Sequence, residues 1–281
     1  MSFIDQVQAV PVDIPDDPRP APPRIYWFNG IKQARTPGIF HVKYTELGSE
    51  PGKPWVRSNR FDDEVGFEAK RLEIAVVAVK TQAFISERDG AREVRKTWLP
   101  KWQKGAQLYT EVLCFVEGID GVVTWNCKGL TGKAFSTALR TYQTTLLRQA
   151  EAVASQKLPL WSFWLPFSST TDDNGKIVYQ DTGYGSFITP PALVLPDKPL
   201  NELVEHLFVG ADVYAEGDRV RKEYAAWLRE THANQAVDDG EVVGADAGDA
   251  FAQVARRSHV RVDPASAAEL GLSDEVEVPF S

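Results

Sequence analysis

The chain has 281 residues, 43% of them hydrophobic, 25% charged and 11% aromatic, which is the make-up of an ordinary soluble protein of one large domain or one domain plus appendages. No run approaches the roughly 18 apolar residues of a membrane-spanning helix, and the start has no basic segment followed by an apolar core, so neither a membrane anchor nor a signal peptide is expected and the protein is read as cytoplasmic. The net charge of −8 is unevenly spread: residues 1–23 carry −3, residues 24–168 carry +7 and residues 169–281 carry −12, so a basic body with acidic ends points to an anionic partner.

Residues 1–23 form an arm, with six prolines and three aspartates between 10 and 23. In "RIYWFNG" (24–30) the aromatics Tyr26, Trp27 and Phe28 are expected to pack in a core. Alternation predicts strands over 38–47 and 71–85, the second with Leu72, Ile74, Val76 and Ala78 on one face. Residues 106–128 predict a hairpin, Leu108 to Val116 and Val122 to Cys127, around a turn at Gly118–Gly121. Its two cysteines, Cys114 and Cys127, lie in apolar segments and are expected to be buried thiols. Phe135, Leu139, Tyr142, Leu146, Ala150 and Val153 then form a one-sided stripe, predicting a helix of about six turns with Thr131 or Ser136 available as its cap.

After the helix come an apolar strand (158–169), a turn at "DDNG" (172–175) and a return strand (176–188). Asp197 and Pro199 open a helical region. Leu203, Leu207 and Tyr214 share one face and Val220, Tyr224 and Trp227 the next, with Gly217 expected to break it. The Asp-, Ala- and Gly-rich stretch from Asn234 to Asp249 reads as a linker. The expected organisation is an arm (1–23), a core (24–192), a helical extension (193–233), and an acidic linker with a C-terminal tip (234–281). The order of strands, helix, then two more strands predicts a mainly β protein with helices (α+β). It suits an oligonucleotide-binding (OB) barrel of five strands with a helix between strands three and four.

Signatures of catalysis are missing. The four histidines are not at metal-ligand spacing. "GLTGKAFS" (129–136) lacks the first glycine of a phosphate loop, where Cys127 stands, and has Ala134 after Lys133. No enzyme activity, cofactor or metal is expected. What remains is basic and aromatic residues interleaved. "KPWVRSNRF" (53–61) offers Trp55, Arg57, Arg60 and Phe61; "REVRKTWLPKWQK" (92–104) offers Arg92, Arg95, Lys96, Trp98, Lys101, Trp102 and Lys104. The second stretch holds five further cations around two tryptophans and is expected as a loop or exposed hairpin. Rings stack on exposed bases and cations follow phosphates, which suits single-stranded nucleic acid. The competing reading packs both tryptophans onto the core.

The chain ends "DEVEVPFS" (274–281). Acids, a β-branched residue and Pro-Phe in this order resemble the acidic tip of bacterial single-stranded DNA-binding proteins and their T7-type phage counterparts. The tip departs from that pattern, because Val276 interrupts the acids and Ser281 follows Phe280. The resemblance implies an OB core, no enzyme activity, and partner docking through Asp274, Glu275, Glu277, Pro279 and Phe280. Upstream, strand (259–262), short helix (264–270) and strand (275–278) patterns offer an ordered alternative for the same residues. The expected function is therefore sequence-independent single-stranded DNA binding in replication or recombination, with the tail recruiting replication or recombination proteins. A homo-oligomer is left open. The alternative is a protein-interaction accessory module, of phage or plasmid origin, that binds no nucleic acid.

Overall fold

The computed structural model describes residues 22–61, 64–89, 92–181, 187–229 and 235–236. Most of the arm, most of the linker and the whole tip, including Asp274, Glu275, Glu277, Pro279 and Phe280, lie outside the described residues.

The protein is a mixed α+β structure built on one large sheet. Strands β1 (Arg24–Phe28) and β2 (Ile39–Lys43) pair antiparallel, and a single helical turn, α1 (Tyr44–Leu47), follows. A hairpin, β3 (Val56–Phe61) and β4 (Glu64–Ala69), adds to β2. Next come β5 (Arg71–Asp89), β6 (Arg92–Leu99), β7 (Gln107–Val116) and β8 (Val122–Lys128). The helical segment is α2 (Gly129–Tyr142), a π turn at Gln143–Leu147, and α3 (Arg148–Ala154). Strand β9 (Leu165–Ser169), the small pair β10 (Gln180–Asp181) and β11 (Phe187–Ile188), and β12 (Pro191–Leu193) lead to helices α4 (Leu200–Leu207), α5 (Ala211–Glu223) and α6 (Ala225–Arg229). Strand β13 (Gln235–Ala236) is the last described element.

The main sheet runs β12-β9-β5-β7-β8-β1-β2-β4-β3, with β6 on β5 and β13 on β6. The expected five-stranded barrel is not what forms: the sheet is open, with β12 and β3 at its ends. Two features explain the difference. The stretch 56–69, which carries few apolar residues, forms a full hairpin that extends the sheet beyond β2. And β5, at 19 residues, is long enough to pair β7 on one side and β9, then β6, on the other.

Strand alternation sends one set of side chains to each face. On the first face, Ile25, Phe40, Ile74, Val112, Trp125 and Phe167 meet the helical segment. Trp125 lies 5.3 Å from Phe135 and 5.4 Å from Phe167, ring centre to ring centre. Each such fully buried side chain contributes about 2–3 kcal/mol. The predicted stripe holds through Phe135, Tyr142, Leu146 and Ala150, but Val153 is 78% exposed, so the buried face ends a turn early. The π turn shifts the stripe by one residue, so that Leu146 and Leu147 both point inward. Neither Thr131 nor Ser136 caps the helix. The chain enters it directly from β8 through Gly129, whose φ of 52° is the left-handed region that glycine tolerates.

On the second face, Ala75, Val77, Leu113 and Phe115 pack with Trp161, Val209 and Val220 beneath α5. Gly217 does not break this helix. It lies inside α5, where a Cβ would enter the Trp161 indole, and that indole donates its N–H to the Tyr214 carbonyl at 2.9 Å. The break falls instead at Gly210, with φ 84°.

Candidate nucleic-acid interface

The two basic–aromatic stretches reach different places. The β3–β4 hairpin leads at Ala69 into the start of β5 at Arg71, whereas β6 pairs with the other end of β5, residues 83–89. Residues 53–61 and 92–104 are thus separate surfaces.

In the first stretch, Trp55 is 6% exposed and its indole N–H donates to the Glu117 carbonyl at 2.8 Å. It is a core residue, so its expected role as a stacking ring is corrected: its flanking cations are exposed, but its own ring faces inward. Arg57 is exposed on β3. The side chains of Arg60 and Phe61 lie outside those described.

In the second stretch, residues 92–99 form β6 and residues 100–106 a loop, so Trp98 and Trp102 do not share a helical turn. Trp98 pairs across the strands with Phe84, at 5.2 Å between rings, and lies 5.6 Å from Tyr109. Lys96, two residues earlier, shares its face. Arg95 is exposed. The side chain of Arg92 lies outside those described.

The loop carries Lys101, Trp102 and Lys104, all exposed. Trp102 is 54% exposed, yet it is held in place, because its indole N–H donates to the Ala106 carbonyl at 3.1 Å. The Ala106 N–H in turn donates to the Gln103 carbonyl at 2.9 Å, and Gly105, with φ 88°, makes the turn. The result is an aromatic plane presented to solvent between two lysines.

The second sheet face extends this surface with residues that sequence reasoning missed. Tyr109 pairs with Lys128, whose ammonium lies 5.9 Å from the Tyr109 ring. One strand further, Tyr26 and Phe28 stack at 6.5 Å, and Phe28 meets His41 edge-on at 5.2 Å. "RIYWFNG" was expected to be core, and Ile25 and Trp27 are; Arg24, Tyr26 and Phe28 occupy the opposite face. Period-two alternation within that stretch was the available signal. Burial, then the neighbouring Glu111, raises the Tyr109 hydroxyl well above its ordinary pKa, so this ring stays neutral. Burial, then Glu46, also raises the Tyr26 hydroxyl.

Burial raises both cysteine thiols, Cys114 and Cys127, which keeps them protonated and unreactive. Among the described residues no three His, Cys, Asp or Glu side chains cluster as metal ligands, and no helix is long and apolar enough to cross a membrane.

Comparison with protein-family models, with curated proteins and with solved structures found no match.

Proposed function

We propose that this protein binds single-stranded DNA without sequence preference, as a cytoplasmic, non-enzymatic protein whose acidic C-terminal tip recruits replication or recombination partners. The observation that carries this reading is Trp102: a pinned, solvent-facing indole between Lys101 and Lys104. A large apolar ring held out in water is unfavourable unless something covers it, and a base does so while the lysines take its phosphates. The ladder of Trp98, Tyr109, Lys128, Tyr26 and Phe28 offers a continuation across the sheet. This reading does not need a closed barrel, because an open sheet face presents rings and cations equally well.

Titrating the protein with oligo-dT while following tryptophan fluorescence tests it. Quenching is expected, with an affinity that falls steeply with salt. Contacts from Lys96, Lys101, Lys104 and Lys128 to four phosphates give a log–log slope of about −2.8. No quenching at low micromolar protein and low salt refutes the proposal. The same outcome favours the accessory-module reading, in which Trp102 is a protein hot spot.

A further inference from the structure

On the sheet face opposite the ladder, a groove of about 350 Å3 runs between α2 and β12. The helix lines it with Leu130, Lys133, Ala134, Thr137, Ala138 and Thr141, spaced three and four apart along one side. The strand lines it with its outer edge, since β12 pairs only with β9 among the described residues. That edge has a definite bonding pattern. Thr170 N–H donates to the Pro190 carbonyl at 3.2 Å and Val194 N–H to the Pro166 carbonyl at 2.8 Å. Positions 190, 192 and 194 therefore bond toward β9, while 191 and 193 turn their backbone outward. Proline has no N–H, so the groups presented are the Pro191 carbonyl and both the N–H and carbonyl of Leu193.

We propose that the groove is the docking site of the chain's own C-terminal tip, with Val276–Phe280 adding to β12 as a further strand. This goes beyond the nucleic-acid reading and does not rest on it. Four observations select this occupant. From Leu130 to Thr141 the helix rises about 16 Å, and five extended residues span about 17 Å. The tip alternates, with Val276, Val278 and Phe280 on one side of an extended strand and Glu275, Glu277 and Pro279 on the other. If Val278 and Phe280 make the ladder bonds, Pro279 directs its nitrogen away from β12, so its missing N–H loses nothing. Charge agrees as well. The charged side chain that lines the groove is the cation Lys133, and the helical segment from Gly129 to Gln149 carries no acid, which suits Asp274, Glu275 and Glu277. Reach does not limit it, since the 39 residues from Val237 to Glu275 extend to about 130 Å. Strand addition of this kind takes affinity from main-chain bonds and specificity from alternate side chains. Docked here, the tip is withheld from partners until one competes for it.

Amide hydrogen exchange at Leu193 in the full chain tests the proposal. In the unmodified protein the Leu193 N–H is expected to be protected. In the double variant Val278→Asp, Phe280→Asp it should exchange at least tenfold faster, with the Ala192 amide, already bonded toward β9, unchanged. Lys133→Glu, an exposed change outside the core, should speed Leu193 several-fold by repelling the acids. A Leu193 rate that is equal in the unmodified protein and the double variant overturns the proposal. Protection that grows with protein concentration also overturns it, in favour of a second copy as occupant.

Discussion

Separating the two tryptophans of residues 92–104 is the sharpest test of the interface, because their surroundings differ. Trp98 is half-buried, and its ring meets Phe84 at 5.2 Å and Tyr109 at 5.6 Å. Each aromatic pair contributes about 0.5–1.5 kcal/mol beyond the area it buries. Trp98→Ala is therefore expected to cost about 2–4 kcal/mol of stability. Trp102 is 54% exposed, and its one hydrogen bond goes to a loop carbonyl. Trp102→Ala should cost about 1 kcal/mol of stability or less. Its effect on binding is the reverse: losing one stacked base removes about 1–3 kcal/mol, a 5- to 150-fold weakening. Urea denaturation and oligo-dT titration at fixed salt measure the two quantities on the same samples. A Trp102→Ala protein that is as stable as expected and binds oligo-dT like the unmodified protein refutes the assignment of Trp102 as a stacking plane.

Three further changes probe the scaffold. Gly217→Ala gains about 1 kcal/mol of helix propensity but drives a methyl into the tied Trp161 indole, an overpacking worth about 1–3 kcal/mol; a melting temperature at or above that of the unmodified protein contradicts this packing. Thr189→Val strips the buried acceptor of the Gly30 N–H, bonded at 2.7 Å, and should cost about 1–3 kcal/mol. Thr189→Ser should recover most of that loss in the same denaturation assay. Burial and the nearby Glu73 raise the pKa of Glu117, so its favourable contribution is present below the ordinary carboxylate range and is lost as pH rises through the raised value. Glu117→Gln should consequently stabilise the protein at neutral pH and not at acid pH. The gain is at most about 0.5 kcal/mol for so exposed a group, and a stability difference independent of pH argues against it.

Sequence reasoning reached those elements whose periodicity is undiluted. The hairpin of β7 and β8 shows in its alternation, and α2 in the spacing of Phe135, Tyr142 and Leu146. It failed where neighbours in sequence are not neighbours in environment. Trp55 looked exposed beside Lys53 and Arg57, yet on β3's approach it turns inward to the Glu117 carbonyl. Gly217 looked like a helix break, because a missing side chain cannot show that an indole fills its place. The hairpin of β3 and β4 was hidden because it carries few inward apolar residues, chiefly Phe67 and Ala69, with Gly66 lying under His41. Element order alone fitted a barrel, but order does not fix how many neighbours a 19-residue strand can serve.

That long strand is also what gives the candidate surface its shape. By pairing β6 at its far end and β7 along its middle, β5 sets Trp98 of one strand beside Tyr109 of the next. The pairing of β7 with β8, and the parallel entry of β1 beside β8, then carry the same face on to Tyr26 and Phe28. An extended ligand seated on Trp102 has a route of rings and cations across that face. If the route is used, affinity should rise with oligonucleotide length beyond what Trp102 and its lysines engage. Tyr26→Ala with Phe28→Ala should then weaken long oligonucleotides and leave the shortest binding ones untouched. A loss that is the same at every length assigns those rings to the scaffold instead, since a structural defect does not distinguish short ligands from long.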